Sequence, residues 1–195
     1  MERYLDHQFY ENVNSPKWRE ELRASLGFCH EHAWLGVNQR LGDALGYSII
    51  YRDLINSILN HWAEDGGPAR NKSASVMDLL SPRKRCPVCE KRDHATHTYL
   101  SVLIEGMESP EMIQALRTSE GLCLPHLRLA LEHTKNGPVR EQLTTIHREK
   151  LVSLRTELEE FIRKNDYQAI KEGFGREGDA WLRAIGMIVG SRKGK

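Results

Sequence analysis

Two short segments each set a pair of metal-ligating side chains three residues apart: Cys86-Pro-Val-Cys89 and, with 33 residues intervening, Cys123-Leu-Pro-His126. A Cys-Pro-x-Cys turn aims two thiolates at one point while its free N–H groups face the sulfur atoms. Residues three apart at a helix start share a face, so Cys123 and His126 could hold one ion, and the positive helix end favours thiolate. Together Cys86, Cys89, Cys123 and His126 form a Cys3His set, a common composition for structural zinc. Zinc is the expected metal because it takes tetrahedral sulfur and nitrogen ligands without redox chemistry. An iron–sulfur cluster is the rival, although four cysteines are its commoner ligand set. Three thiolates, a neutral histidine and Zn2+ leave a charge of about −1. Arg83, Lys84 and Arg85, beside the first pair, could offset it.

Cys29 and His32 repeat the spacing of the second pair, but no Cys-Pro-x-Cys segment precedes them. They read as a vestigial half-site without metal, or as a second site whose missing ligands come from His7, His30, His61 or another subunit. A Cys–His nucleophile is the sharper alternative, since a thiolate at a helix N-terminus is activated, but no third residue stands out to orient the histidine.

The elements that must position these residues follow from an internal repeat. Residues 15–35 align without a gap on residues 109–129, with nine of 21 positions identical, among them Ser15/Ser109, Pro16/Pro110, Gly27/Gly121, Cys29/Cys123 and His32/His126. After a two-residue shift the likeness continues, Ile50, Arg52 and Ser57 matching Ile146, Arg148 and Ser153. Ser-Pro is a helix N-cap followed by proline at the first helical position. The stretch GYSIIYRDLI resembles a strand in β-branched content, but its counterpart TTIHREKLVSL carries helix formers, so both are predicted helical. A long helix is predicted from Pro138 to Lys164, and a last one from an Asp179 cap to Gly190. A helix over 90–107 travels about 27 Å outward, and a return helix over 110–119 with three extended residues covers about 25 Å, so the two cysteine-containing pairs can meet.

The expected fold is all-α, about nine helices in two pseudo-symmetric units. The expected division is a first helical repeat at 1–62, a Gly/Pro/Ser-containing linker at 63–75, a second repeat with the metal site at 76–164, and a C-terminal helix and tail at 165–195. The segments CPVC at 86–89, GLCLPHLRLAL at 121–131, GFCHEHAWLGV at 27–37 and IIYRDLI at 49–55 resemble an uncharacterised bacterial and archaeal family. Its pattern is a tandem of Cys-Pro-x-Cys, helical hairpin and Gly-x-Cys-x-x-His units. The resemblance implies a metal-binding helical fold and no particular activity.

Composition narrows the function classes. The 195 residues carry 28 Lys+Arg against 27 Asp+Glu, a net charge of +1, which gives no global argument for nucleic acid or anionic membrane. No apolar run approaches the roughly 20 residues of a membrane span, and the opening residues have no signal-peptide core, so a cytoplasmic protein is expected, with its four cysteines reduced. GFGREG at 173–178 matches a dinucleotide fingerprint literally, but it follows a helical segment with no parallel sheet in prospect and reads as a flexible joint. The leading expectation is a non-catalytic zinc-binding module that presents a surface to a protein or small-molecule partner. A redox or metal sensor built on thiolates or an iron–sulfur cluster comes second, and an enzyme using Cys29 and His32 third.

Overall fold

Both Ser-Pro signals start helices of equal length. Ser15 Oγ accepts from Trp18 N at 3.4 Å, and Ser109 Oγ from Met112 N at 3.2 Å, each ahead of a nine-residue helix. In the computed structural model the described residues are 1–64, 78, 80–134, 137–167 and 169–191. Among them the α-helices are α1 (Glu2–Glu11), α2 (Pro16–Ala24), α3 (His30–Asn38), α4 (Ala44–Glu64), α5 (Pro87–Gly106), α6 (Pro110–Thr118), α7 (Leu124–His133), α8 (Pro138–Lys164) and α9 (Ala180–Val189). Two 3-10 turns, Ile170–Glu172 and Arg176–Asp179, separate α8 from α9, and no strand forms among the described residues. GYSIIYRDLI lies inside α4, as its repeat partner required. The linker expected over 63–75 falls outside the described residues from residue 65 onward.

The chain divides into two units, Met1–Thr96 and His97–Lys195, the boundary falling inside α5. In the first unit α1 packs on α3 and α4, and α2 on α4. Its core is Leu5, Phe9, Trp18, Leu22, Ile50 and Leu54, continued by Cys86 and Val88 at the start of α5. Phe9 organises an aromatic cluster, stacked on Tyr47 at 4.0 Å and tilted against Phe28 at 5.8 Å. In the second unit Leu100, Met107, Leu116, Ala130, Leu143 and Ile146 form one core cluster, and Leu154, Ala180 and Met187 a smaller one beneath α9. Leu143, Ile146 and Leu154 are thus the buried apolar residues of α8, whereas Leu151 is exposed.

The repeat extends to contacts. Gly27 and Gly121 turn the chain at φ +89° and +81°. A side chain on Gly27 would meet Leu54 Cδ1 at 3.1 Å, and one on Gly121 would meet Lys150 Cδ at 2.9 Å. Leu54 and Lys150 are partners under the same two-residue shift that the sequence requires.

GFGREG is not the flexible joint expected of it. Glu177 is buried there, its carboxylate accepting from Gly175 N at 2.8 Å and pairing with Lys164 Nζ at 2.7 Å, while Phe174 stacks on Phe161 at 5.0 Å. The Gly175 amide and the Lys164 ammonium hold the Glu177 carboxyl down at about 2.

Candidate metal centre

Cysteine occurs three times at the residue just before a helix, and each time a second metal-ligating side chain stands three residues on. Cys29 caps α3, Cys86 precedes α5 and Cys123 caps α7, with His32, Cys89 and His126 closing the first turns. The cysteine carbonyls accept the first helical bonds, from Ala33 N at 2.9 Å, Glu90 N at 3.1 Å and Leu127 N at 2.8 Å. Cys29 (φ −64°, ψ 163°) and Cys123 (φ −66°, ψ 158°) have nearly the same backbone. Each also has its histidine Nδ1 3.2 Å from its own Sγ. The Cys-Pro-Val-Cys segment is thus itself a helix start, Pro87 taking the first helical position where a missing N–H is harmless.

The structure brings Cys86 and Cys89 together with Cys29 and His32, in a group whose ligand atoms all lie within 4.8 Å of one another. Cys123 and His126, expected to complete the set, are not in that group; they face each other in the second unit. Nor are Cys29 and His32 an isolated half-site. The reason is local. Arg83 N and Lys84 N both donate to Ala24 O, at 2.8 and 3.0 Å, tying the chain before Cys86 to the last turn of α2. Gly27 N donates back to Leu22 O at 2.7 Å, turning the chain after α2 into Cys29. Two helix starts are thereby set side by side, and Val88, wholly buried between Cys86 and Cys89, anchors the second one in the core.

Four of the six separations between donor atoms come close to the edges of a tetrahedron around one ion. His32 Nδ1 lies 3.2 Å from Cys29 Sγ, 3.3 Å from Cys89 Sγ and 3.8 Å from Cys86 Sγ, and Cys29 Sγ lies 3.7 Å from Cys89 Sγ. A tetrahedral zinc with Zn–S of about 2.3 Å and Zn–N of about 2.0 Å has edges of about 3.8 Å between sulfurs and 3.5 Å from sulfur to nitrogen. His32 and Cys86 are buried and Cys29 and Cys89 half-buried. Burial, with Cys29 and Cys86 alongside, pushes the Cys89 thiol up to about 12. Three adjacent thiolates need a cation among them, and two helix N-termini add positive field from outside. Thiols on both sides of His32 make this a four-donor cluster rather than a Cys–His pair.

Two arginines of the basic run around the cysteines have carboxylate partners. Arg85 pairs with Asp93 at 2.6 Å, and Arg92 lies 3.4 Å from Asp93 and 3.7 Å from Glu31, so Arg92 links α5 to α3. The Asp93 carboxylate raises the pKa of Arg85 most, Cys89 only secondarily. Of the three basic residues expected to offset thiolate charge, Arg85 is thus engaged first by a carboxylate.

Sequence reasoning missed His147, which positions the second unit's pair. Its buried ring accepts from Leu122 N at 2.8 Å through Nε2 and donates to Leu143 O at 2.7 Å through Nδ1. Burial lowers its pKa and keeps it neutral, which this donor–acceptor arrangement requires. Lys150 Nζ donates to Arg117 O at 2.8 Å and also to Ser119 O, completing the hold on the loop before Cys123. The first unit has Tyr51 in the corresponding position, so the repeat carried no signal for it.

A family profile described as a family of unknown function, DUF6062, matches residues 1–195. The chain is 26% identical over 194 residues to the "Uncharacterized 23.9 kDa protein in xynA 3'region" of Caldicellulosiruptor sp. (strain Rt8B.4), covering 98% of this chain and 91% of that one. No solved structure matches.

Proposed function

We propose that this chain, which belongs to the DUF6062 family of unknown function, is a non-catalytic zinc protein whose ion is held by Cys29, His32, Cys86 and Cys89. The observation that carries the reading is the gathering of one nitrogen and three sulfurs within 4.8 Å of one another, with the nitrogen 3.2–3.8 Å from each sulfur. Four protein donors leave no coordination position open, which is the pattern of a structural rather than a catalytic ion. An iron–sulfur cluster spreads its ligands over several irons, whereas these donors converge on one point.

The ion would tie the start of α3 to the start of α5 across 57 residues of sequence. Structural zinc contributes on the order of 10 kcal/mol in small finger peptides, comparable to the whole stability of many domains. Its work here is to hold a helical scaffold whose exposed side chains, Trp34 and Val37 on α3 among them, are available to a partner. The reading also places the protein in a reducing compartment such as the cytoplasm, where three clustered thiols stay free. Among the described residues no helix is long and apolar enough to cross a membrane.

Metal analysis tests this. Protein purified anaerobically should be colourless and contain zinc, and Cys86→Ser should lose about one zinc per chain. Brown protein carrying iron and labile sulfide would overturn it.

A further inference from the structure

We propose that Cys123 and His126 are one half of a second zinc site, completed by the same two residues of a second copy of this chain. The pair has the ligand geometry of its counterpart in the first unit, with the same 3.2 Å between Sγ and Nδ1 and the same backbone at the cysteine. His126 is exposed and Cys123 half-buried, so the donors can be reached from outside. Among the described residues no third histidine, cysteine or carboxylate joins them. Two ligands do not hold zinc in a closed site, and a two-fold axis supplies the missing cysteine and histidine together. Two thiolates and Zn2+ then cancel to a neutral centre, which suits a contact that excludes water.

The surface beside the pair supports a second copy as the occupant. Helix α9 packs on α7 and α8. It nevertheless leaves Trp181, Leu182, Ile185, Ile188 and Val189 between 47% and 68% exposed. These fall on one apolar stripe at helical spacing that ends at Gly190, where an added side chain would stand 3.8 Å from Cys123 Sγ. Their exposed parts amount to roughly 500 Å2, as large as the patches that monomers keep for binding. That is short of the roughly 800 Å2 per partner of a standard interface, so the stripe alone is too small and a shared ion makes up the difference. A stripe and a half-site side by side are self-complementary about a two-fold axis, as an isologous dimer requires.

The test is light scattering with zinc analysis on the full chain, with zinc as the added metal. The wild type should be a dimer with about 1.5 zinc per chain, and Cys123→Ser with His126→Ala should give a monomer with about one. Ile185→Glu, on the exposed stripe and away from the ligands, should also give a monomer with about one zinc, because the half-site cannot hold its ion unaided. Cys86→Ser should lose about one zinc and remain dimeric, so failure of the first-unit centre is separable from failure of this site. A zinc-replete wild type that is monomeric, or a Cys123→Ser, His126→Ala protein that dimerises with unchanged zinc, overturns the proposal.

Discussion

At the residue scale, three cysteines are gathered on one histidine ring. His32 Nδ1 faces all three sulfurs, so His32→Ala removes the hub as well as a ligand. Loss of the ion on this substitution should cost on the order of 5 kcal/mol, or roughly 10–20 °C in Tm for a chain of this size, read by calorimetry. His147 has a different task, accepting the Leu122 amide from inside the second unit. His147→Leu leaves that half-buried N–H without its partner and should destabilise by about 1 kcal/mol in denaturant unfolding, with the first-unit zinc retained. Ligand types and their x2 spacing were legible in the sequence. The partner assignment was not, because hairpin arithmetic showed only that Cys86/Cys89 could reach Cys123/His126, and a permissive length does not choose between two equivalent Cys-x-x-His pairs.

At the scale of elements, each Cys-x-x-His pair depends on a glycine turn before it. Gly27→Ala places a side chain at φ +89° and 3.1 Å from Leu54 Cδ1, and should cost about 1–2 kcal/mol while weakening zinc retention by displacing Cys29. Calorimetry with zinc analysis checks both effects. The turn between α8 and α9 is pinned by charge. The Glu177 carboxyl lies at about 2 against an ordinary 4.5, so an unfolded chain protonates there first as pH falls. Its stabilisation is present above about 4.5 and disappears as pH drops through about 2. The destabilisation by Glu177→Gln, measured by denaturant unfolding, should accordingly be full at neutral pH and shrink toward pH 2. Helix starts, the long α8 and the helical state of GYSIIYRDLI were legible, because caps, prolines and the repeat all pointed the same way. The ordered GFGREG turn was not, because its order comes from Lys164, Phe161 and the buried Glu177, contacts that a glycine-rich string does not advertise.

At the scale of the whole molecule, a duplicated helical unit carries three Cys-capped helix starts, and the structure gathers two of them. All four ligands of the candidate centre fall in Met1–Thr96, whereas Cys123 and His126 belong to His97–Lys195. The repeat made the likeness of the two Cys-x-x-His pairs plain, yet it could not say which pair the Cys-Pro-x-Cys helix would meet. That choice is made by the Ala24 carbonyl receiving Arg83 N and Lys84 N, a backbone contact without a sequence signature. The most direct test is X-ray absorption at the zinc edge on the Cys123→Ser, His126→Ala protein, which keeps the first-unit ligands alone. About three sulfurs near 2.3 Å and one nitrogen near 2.0 Å are expected. A protein that binds no zinc, or a zinc shell dominated by oxygen and nitrogen, would contradict that expectation.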